Sequence, residues 1–509
     1  MKLWICGFLF STISLCASIL FEDSIVKVHS IIKEYDCHAP WAPPKTAKYT
    51  GSGCIIEGNR ILTVAHLLTE DAIVEVQAGS SNKRFRAHVK KVGFDCDLAI
   101  LEVEDMRFFK GKTPLIVSKQ IAKEREEVEI YGFPHGGPLF HARGNILTNE
   151  MSLYQHSYTF LLTSQIENVT IYPGNSGGPV MLRGKVVGII HERIRYVKGR
   201  VKGFMIPVPI VQHFLQEALS AGQYQGFPGF PVEFQIVCNP SMRAHLGLCE
   251  NEGGLLITHV PSNYWGCNVL QQGDILTEID GRTIDCSGYV DCPELSLQLP
   301  VDYVITKKFF GETIKFSVLR NGRKVHLNAH INPMWRGLFL VNLHQHKTDP
   351  PTYYILAGLV LQPLTRSMLE GNLEELSIVL SSVNLYNYFL KGYVEGKRDE
   401  LVVITHVLED PINVGYQNIR NEVVKEVNGH AIHNMSHMID VLSKCNDPYY
   451  VIKTEDKSVI IFNRKEALKH TPTILRCYSI PYGCSKDLMI KDIQNIPIAN
   501  EASIYTCRQ

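Results

Sequence analysis

The hexapeptide Gly174-Asn175-Ser176-Gly177-Gly178-Pro179 places a hydroxyl between glycines. A serine that attacks an amide needs main-chain donors at the developing oxyanion, and flanking glycines let backbone N–H groups converge there. Such a serine is inert without an imidazole base that a carboxylate orients. Both partners are available upstream in strand-like contexts: His66 in Leu62-Thr63-Val64-Ala65-His66 and Asp97 in Asp97-Leu98-Ala99-Ile100-Leu101. The order is His, Asp, Ser, with gaps of 31 (66 to 97) and 79 (97 to 176) residues, which excludes the Ser-Asp-His order of α/β-hydrolases. Asp95 is the local rival of Asp97. Asp97 is preferred because it directly precedes an apolar run, whereas Asp95 reads as a solvated loop residue and Cys96 as packing.

The elements around these residues change character along the chain. From Thr50 to about Glu217 short β-rich runs alternate with turns, the spacing of an all-β barrel or sandwich. Val208, Ile210, Val211, Phe214, Leu215 and Leu219 then recur at helical spacing. The stretch Gly222 to Pro231 (GQYQGFPGFP) breaks any helix and marks a boundary. A small α/β unit runs on to about Pro333, with a hairpin at Asn321-Gly322. A third stretch repeats its order, with a helical segment expected near Leu373 to Leu380. LLITHV is echoed by VVITHV, and ILTEIDGRTI by VVKEVNGHAI, the mark of an internal duplication. After about Thr471 the pattern is too weak to assign.

TVAH, DLAIL and PGNSGGP together resemble the three active-site blocks of the Deg/HtrA branch of trypsin-like serine proteases. The resemblance implies a mainly β chain: a trypsin-like double β-barrel (19–225) followed by two small α/β PDZ-like domains (226–335 and 336–470) and a C-terminal extension (471–509). It implies His66 as general base, Asp97 as its orienting carboxylate and Ser176 as nucleophile. The oxyanion hole falls to the Gly174-Asn175-Ser176 segment, through the amides of Gly174 and Ser176. Thr170, six residues before the serine, would floor the specificity pocket, with Gly203, Phe204 and Met205 as its wall, favouring small or medium apolar side chains. Asn175 in place of aspartate disfavours activation by clipping. TVAH for the commoner TNAH, and IENVTIY before PGNSGG, depart from the family pattern. His191 and His88 are assigned no role.

Leu270-Gln271-Gln272-Gly273-Asp274-Ile275-Leu276 resembles the PDZ signature of these proteases. The turn Gly226-Phe227-Pro228-Gly229-Phe230 would then receive a peptide carboxyl terminus, with Phe230 beginning an exposed strand edge that pairs to the peptide; a plain interdomain linker is the other reading. YQGFPGF, YYILAGLVLQPLT and VLEDPINVGY are similar to the plant-type subgroup with two PDZ domains. That likeness implies assembly into trimers or multiples of trimers, with unfolded proteins or peptides as partners and no metal or cofactor.

Of the 509 residues, 51 Lys plus Arg balance 51 Asp plus Glu, so no summed field attracts nucleic acid. Lys2 and the apolar run Leu3 to Leu15, ending at Cys16-Ala17-Ser18, have the form of a signal peptide (1–18) on an exported protein, periplasmic or secreted; an uncleaved anchor is the alternative. Twelve cysteines follow it. Short-range disulfide candidates are Cys238–Cys249, Cys286–Cys292 and Cys477–Cys484, with scattered buried thiols as the other reading. A peptide-binding chaperone or scaffold with a largely silent protease domain is the alternative function.

Overall fold

The computed structural model describes residues 22–489, except 80, 196–200, 221, 250–251, 334–336, 343–346, 373–384, 386 and 390. The expected signal peptide and the helical segment near Leu373 lie outside the described residues. No helix among the described residues is long and apolar enough to cross a membrane. The chain divides into two compact units, residues 1–32, 46–260 and 265–335 in one and 33–45, 261–264 and 336–509 in the other.

The first unit begins with two closed six-stranded barrels. One is formed by β1 (Ile25–Glu34), β2 (Lys45–Ile56), β3 (Arg60–Thr63), β4 (Ile73–Ala78), β5 (Arg84–Gly93) and β6 (Leu98–Val103). The other is formed by β7 (Glu127–Gly132), β8 (Phe140–Leu153), β9 (Phe160–Glu167), β10 (Pro179–Leu182), β11 (Lys185–Arg195) and β12 (Val201–Pro207). Closure leaves no free strand edge, and alternate residues turn inward. Val128, Ile130, Ile146, Ile166, Val180, Val187 and Met205 accordingly fill the second barrel. Helix α1 (Val208–Ala218) follows, with Val208, Ile210, Val211 and Phe214 buried as the helical spacing expects.

The same unit then holds a six-stranded antiparallel sheet in the order β13 (Glu233–Ile236), β14 (Leu255–His259), β15 (Ile275–Ile279), β19 (Thr313–Arg320) and β20 (Arg323–His330), with β16 (Arg282–Thr283) paired to β15. Strands β17 (Tyr289–Cys292) and β18 (Leu297–Pro300) form a separate ribbon. The Gln271–Asp274 turn explains the LQQGDIL pattern. Gly273 takes φ +91°, and the buried Asp274 carboxylate accepts from Gln271 N at 2.9 Å and from Arg320 Nε and Nη2, both at 2.7 Å.

In the second unit β21 (Tyr354–Leu356), β22 (Leu359–Pro363), β23 (Val402–Val407), β24 (Glu422–Val427), β26 (Tyr449–Thr454) and β27 (Val459–Asn463) form one sheet in that order, with β25 (His430–Ala431) on β24. The sequence echoes fall on equivalent strands. β14-β15-β19-β20 and β23-β24-β26-β27 have the same pairing order, and each β15 or β24 turns back through a left-handed pair, Asp280-Gly281 or Asn428-Gly429. Asn413 of the VLEDPINVGY stretch donates to Ala357 O (2.9 Å) and Leu408 O (2.7 Å), pinning the Ala357-Gly358 hairpin. The weakly patterned tail is in fact packed: helix α2 (Arg464–Cys477) crosses residue 471, and Ile480, Cys484 and Leu488 are buried.

Asp95 and His213 tie the barrel domain to the linker and to the α/β unit that follows it. Asp95, expected as a solvated loop residue, is 6% exposed and holds the linker: its carboxylate accepts from Tyr224 Oη and from Phe227 N, both at 2.8 Å. Only glycine fits at 226, where φ is +91° and a Cβ would stand 2.4 Å from Asp95 Oδ2. The His213 ring of α1 is sandwiched between Phe227 (4.1 Å) and Phe309 (4.0 Å), its Nε2 buried without a partner among the described residues. Burial lowers the His213 pKa to about 4.

An unfolded histidine binds a proton near pH 6.5, while this one resists until about pH 4. The unfolded state therefore holds more protons across that window, and the stability present above pH 6.5 is lost as pH falls toward 4. His213→Phe should flatten this dependence in urea unfolding curves taken from pH 7 to 4. Asp95→Ala, which leaves the Tyr224 hydroxyl and the Phe227 amide without their acceptor, should cost about 2–4 kcal/mol by the same measurement at pH 7.

Candidate active site

His66 sits in the single helical turn Ala65–Leu67 that ends β3, and Asp97 in the turn that begins β6. Because β3 and β6 pair, with Thr63 opposite Ala99, the ends of these two strands come side by side. Asp97 takes the left-handed conformation, φ +55°, which aspartate tolerates better than most residues. Its Oδ1 accepts from His66 N at 2.8 Å and its Oδ2 from His66 Nδ1 at 2.8 Å. The Asp97 side chain is 1% exposed and that of His66 18%, so the pair is dry at the carboxylate and reachable at the imidazole.

Two further histidines surround the carboxylate, and sequence reasoning missed both. His191, at the end of the KVVGII run in β11, places Nδ1 3.3 Å from Asp97 Oδ2 and is itself buried. It packs against the Tyr154 ring at 4.7 Å. His156, on the turn between β8 and β9, stacks on His66 with ring centroids 4.1 Å apart and planes 15° apart. That turn is tied to the first barrel by Ser157 Oγ, which donates to Asp95 O at 2.8 Å. Burial alone would push the Asp97 carboxyl up; the imidazoles of His66 and His156, with hydrogen bonds from His191 and His66, outweigh it and hold the group well below the usual carboxylate range. A histidine at a strand end carries no signal of this kind until the barrels close.

His66, Asp97 and His156 offer ligand atoms within 4.8 Å of one another. The near-parallel rings do not converge their in-plane lone pairs on one point, and His66 Nδ1 already faces Asp97, so the arrangement suits bracing of the His66 ring better than metal ligation.

The Gly174–Pro179 turn lies against β2. Ser52 is its pin: Ser52 N donates to Ser176 O (2.8 Å), Ser52 Oγ donates to Gly174 O (2.7 Å) and accepts from Phe133 N (2.9 Å). Thr63 Oγ1 in turn donates to Ser52 O at 2.7 Å. The sequence offered a clue in Gly51-Ser52-Gly53, since a Cβ at Gly51 would strike Leu67 Cδ1 at 2.1 Å. His135 N donates to Pro173 O at 2.7 Å, which turns the Pro173–Gly174 peptide so that the Gly174 N–H faces the opposite way. Gly174 has φ +97°, and a Cβ there would lie 2.5 Å from Phe133 O. Among the described contacts the N–H groups of Gly174 and Ser176 have no partner, whereas Asn175 N donates to Tyr172 O at 3.1 Å. Asn175 therefore offers no main-chain donor, and its buried side-chain amide has no partner among the described residues. Ser176 Oγ likewise has no hydrogen bond there, a separation common before substrate arrives.

The expected pocket and peptide residues are only partly brought together. Gly203 and Met205 face the barrel interior, Gly203 against Ile171 and Met205 within the core, while Phe204 faces the other way. Successive strand residues point to opposite faces, so the three side chains do not share one surface. Thr170 is exposed on the loop after β9. The Gly226 N–H donates to Glu217 Oε2 at 3.1 Å and the Phe227 N–H to Asp95 Oδ2 at 2.8 Å, with the Phe227 ring on His213, so both amides are occupied within the chain. Gly229 keeps open space about it, and Phe230 stacks on Phe316 at 6.2 Å in the core beside β13.

Residues 51–189 match the trypsin-like peptidase domain family and residues 341–487 the PDZ domain family. The chain is 30% identical to Protease Do-like 2, chloroplastic, of Arabidopsis thaliana over 92% of this chain and 76% of that protein. It is 29% identical to Protease Do-like 4, mitochondrial, of the same plant, over 90% and 84%. A solved structure, the HtrA-type protease AlgW with decapeptide, aligns over 62% of this chain and 97% of its own at 21% identity, with a TM-score of 0.47. Two closed barrels joined to a PDZ-bearing region, and a relative of this identity matched over most of its length, lead to one conclusion: the chain belongs to the Deg/HtrA family and is a serine endopeptidase with a trypsin-like peptidase domain.

Proposed function

We propose that this protease uses His66, Asp97 and Ser176 as its catalytic triad to cleave unfolded or mislocalised proteins outside the cytosol without ATP. The observation that carries the reading is the His66–Asp97 pair, in which the carboxylate accepts hydrogen bonds from His66 Nδ1 and from its main-chain N, beside a turn whose Gly174 and Ser176 amides have no partner among the described contacts. In this mechanism Ser176 Oγ attacks the peptide carbonyl carbon while His66 Nε2 takes its proton. The oxyanion is met by the Gly174 and Ser176 N–H groups, and His66 passes the proton to the leaving amine. Water then hydrolyses the acyl-serine by the same base, and Asp97 stays ionised throughout.

The edge strand β13 suits pairing with an extended substrate segment, Gly229 being the open position near its start. The apolar start of the chain and the chloroplastic and mitochondrial names of the relatives support delivery across a membrane, periplasmic or secreted export being the form proposed here. Assembly into trimers or their multiples belongs to the same proposal. The unbonded Ser176 hydroxyl favours a second reading, a peptide-binding scaffold with a silent protease domain.

Casein cleavage separates the readings. Ser176→Ala should lower turnover by at least about 10³-fold with the fold intact. Gly174→Ala should lower kcat by about 10²–10³ with little change in KM, because it disturbs an amide that acts on the transition state. Undiminished cleavage by Ser176→Ala removes the triad assignment, and absence of cleavage by the unaltered chain with every peptide added supports the scaffold.

A further inference from the structure

Cys238 and Cys286 are 48 residues apart and none of the short-range pairings joins them, yet their sulfurs lie 3.0 Å from each other. That is about 1 Å beyond the length of a disulfide bond. Their main chains are held together as well. Val237 N donates to Cys286 O at 3.3 Å, and the Cys238 thiol lies 3.1 Å from the same oxygen. Cys286 belongs to a stiff turn in which Asp285 Oδ1 accepts from Ser287 N (2.8 Å) and Tyr289 N (2.9 Å). Cys238 lies two residues past the end of β13, and the next residue, Asn239, caps a short helix through Met242 N. Cys238 is exposed and Cys286 partly so, which lets a soluble oxidant reach them. By contrast Cys292, the sequence-expected partner of Cys286, is buried with its thiol on Val290 O.

We propose that Cys238 and Cys286 form a reversible disulfide that locks the end of edge strand β13 to the Asp285–Tyr289 turn. The oxidant is a disulfide of the glutathione class. One cysteine thiolate attacks it to give a mixed disulfide and releases one thiol; the second cysteine thiolate then attacks the protein sulfur and releases the other. Two protons and two electrons pass from the cysteine pair to the oxidant, which leaves as two thiols. β13 pairs with β14 on one side only, so a fixed far end stiffens the edge at which, on the reading above, a peptide adds.

The test is a disulfide map of the full chain, incubated with oxidised glutathione or with dithiothreitol, alkylated, digested and weighed. A cross-linked pair of peptides containing Cys238 and Cys286, lost on reduction, is the expected result, with slower hydrogen exchange at the β13 amides in the oxidised chain. Cys238 joined to Cys249, or both cysteines alkylated after oxidation, overturns the pairing. Equal β13 exchange in the two states overturns the lock. Neither readout depends on this chain's own peptidase activity, so a failure of the triad assignment leaves this test unaffected.

Discussion

A carboxylate sealed from water is stable as an anion only if donors replace the solvent it has lost. Asp97 has them from three places: the His66 main chain, the His66 ring and the His191 ring. Those groups come from β3 in one barrel and β11 in the other, so the site cannot exist until both barrels have closed and met. The left-handed backbone at Asp97 and the short turn at His66 both serve this one buried charge, while Ser52 fixes the serine turn separately. His156, stacked on the exposed side of the system, limits how far the His66 ring can swing.

Two aspartates separated by one cysteine divide the work. Asp97 faces inward to the imidazoles, and Asp95 faces the linker, where Tyr224 and Phe227 close on it. Cys96 between them is buried and its thiol lies 3.4 Å from the Tyr224 hydroxyl. Burial pushes the Cys96 thiol well up, so it stays a packing group. Because the same short loop carries both carboxylates, the linker to the first α/β sheet is anchored two residues from the proposed orienting group. The His213 sandwich adds an apolar contact at the same junction.

What could be read from the sequence was local. LTVAH leaves β3 for the helical turn that carries His66, and DLAIL enters β6 directly after Asp97, so the residues proposed for the triad sit at strand ends that the apolar runs already mark. The duplicated strand order was legible for the same reason, since ITHV and the Asp-Gly or Asn-Gly turn recur with their own periodicity. Contacts set by closure were not legible. His191 and His156 belong to the second barrel and acquire meaning only from the first-barrel residues, Asp97 and His66, that come to lie beside them. Asp95 looked solvated because its partners lie about 130 residues away. Strand alternation turns Gly203 and Met205 to one face and Phe204 to the other, which the run itself does not announce, and the short-range disulfide candidates are free thiols because sequence proximity is a poor guide to which sulfurs meet.

The most direct measurement of the central claim is the rate at which a fluorophosphonate modifies Ser176, followed by intact mass and peptide mapping, in the unaltered chain and in Asp97→Asn. If the buried anion holds His66 in the tautomer that accepts the serine proton, the adduct forms at Ser176 and the substitution slows it by about 10⁴-fold. Equal rates in the two chains, or an adduct on any other residue, would contradict the account.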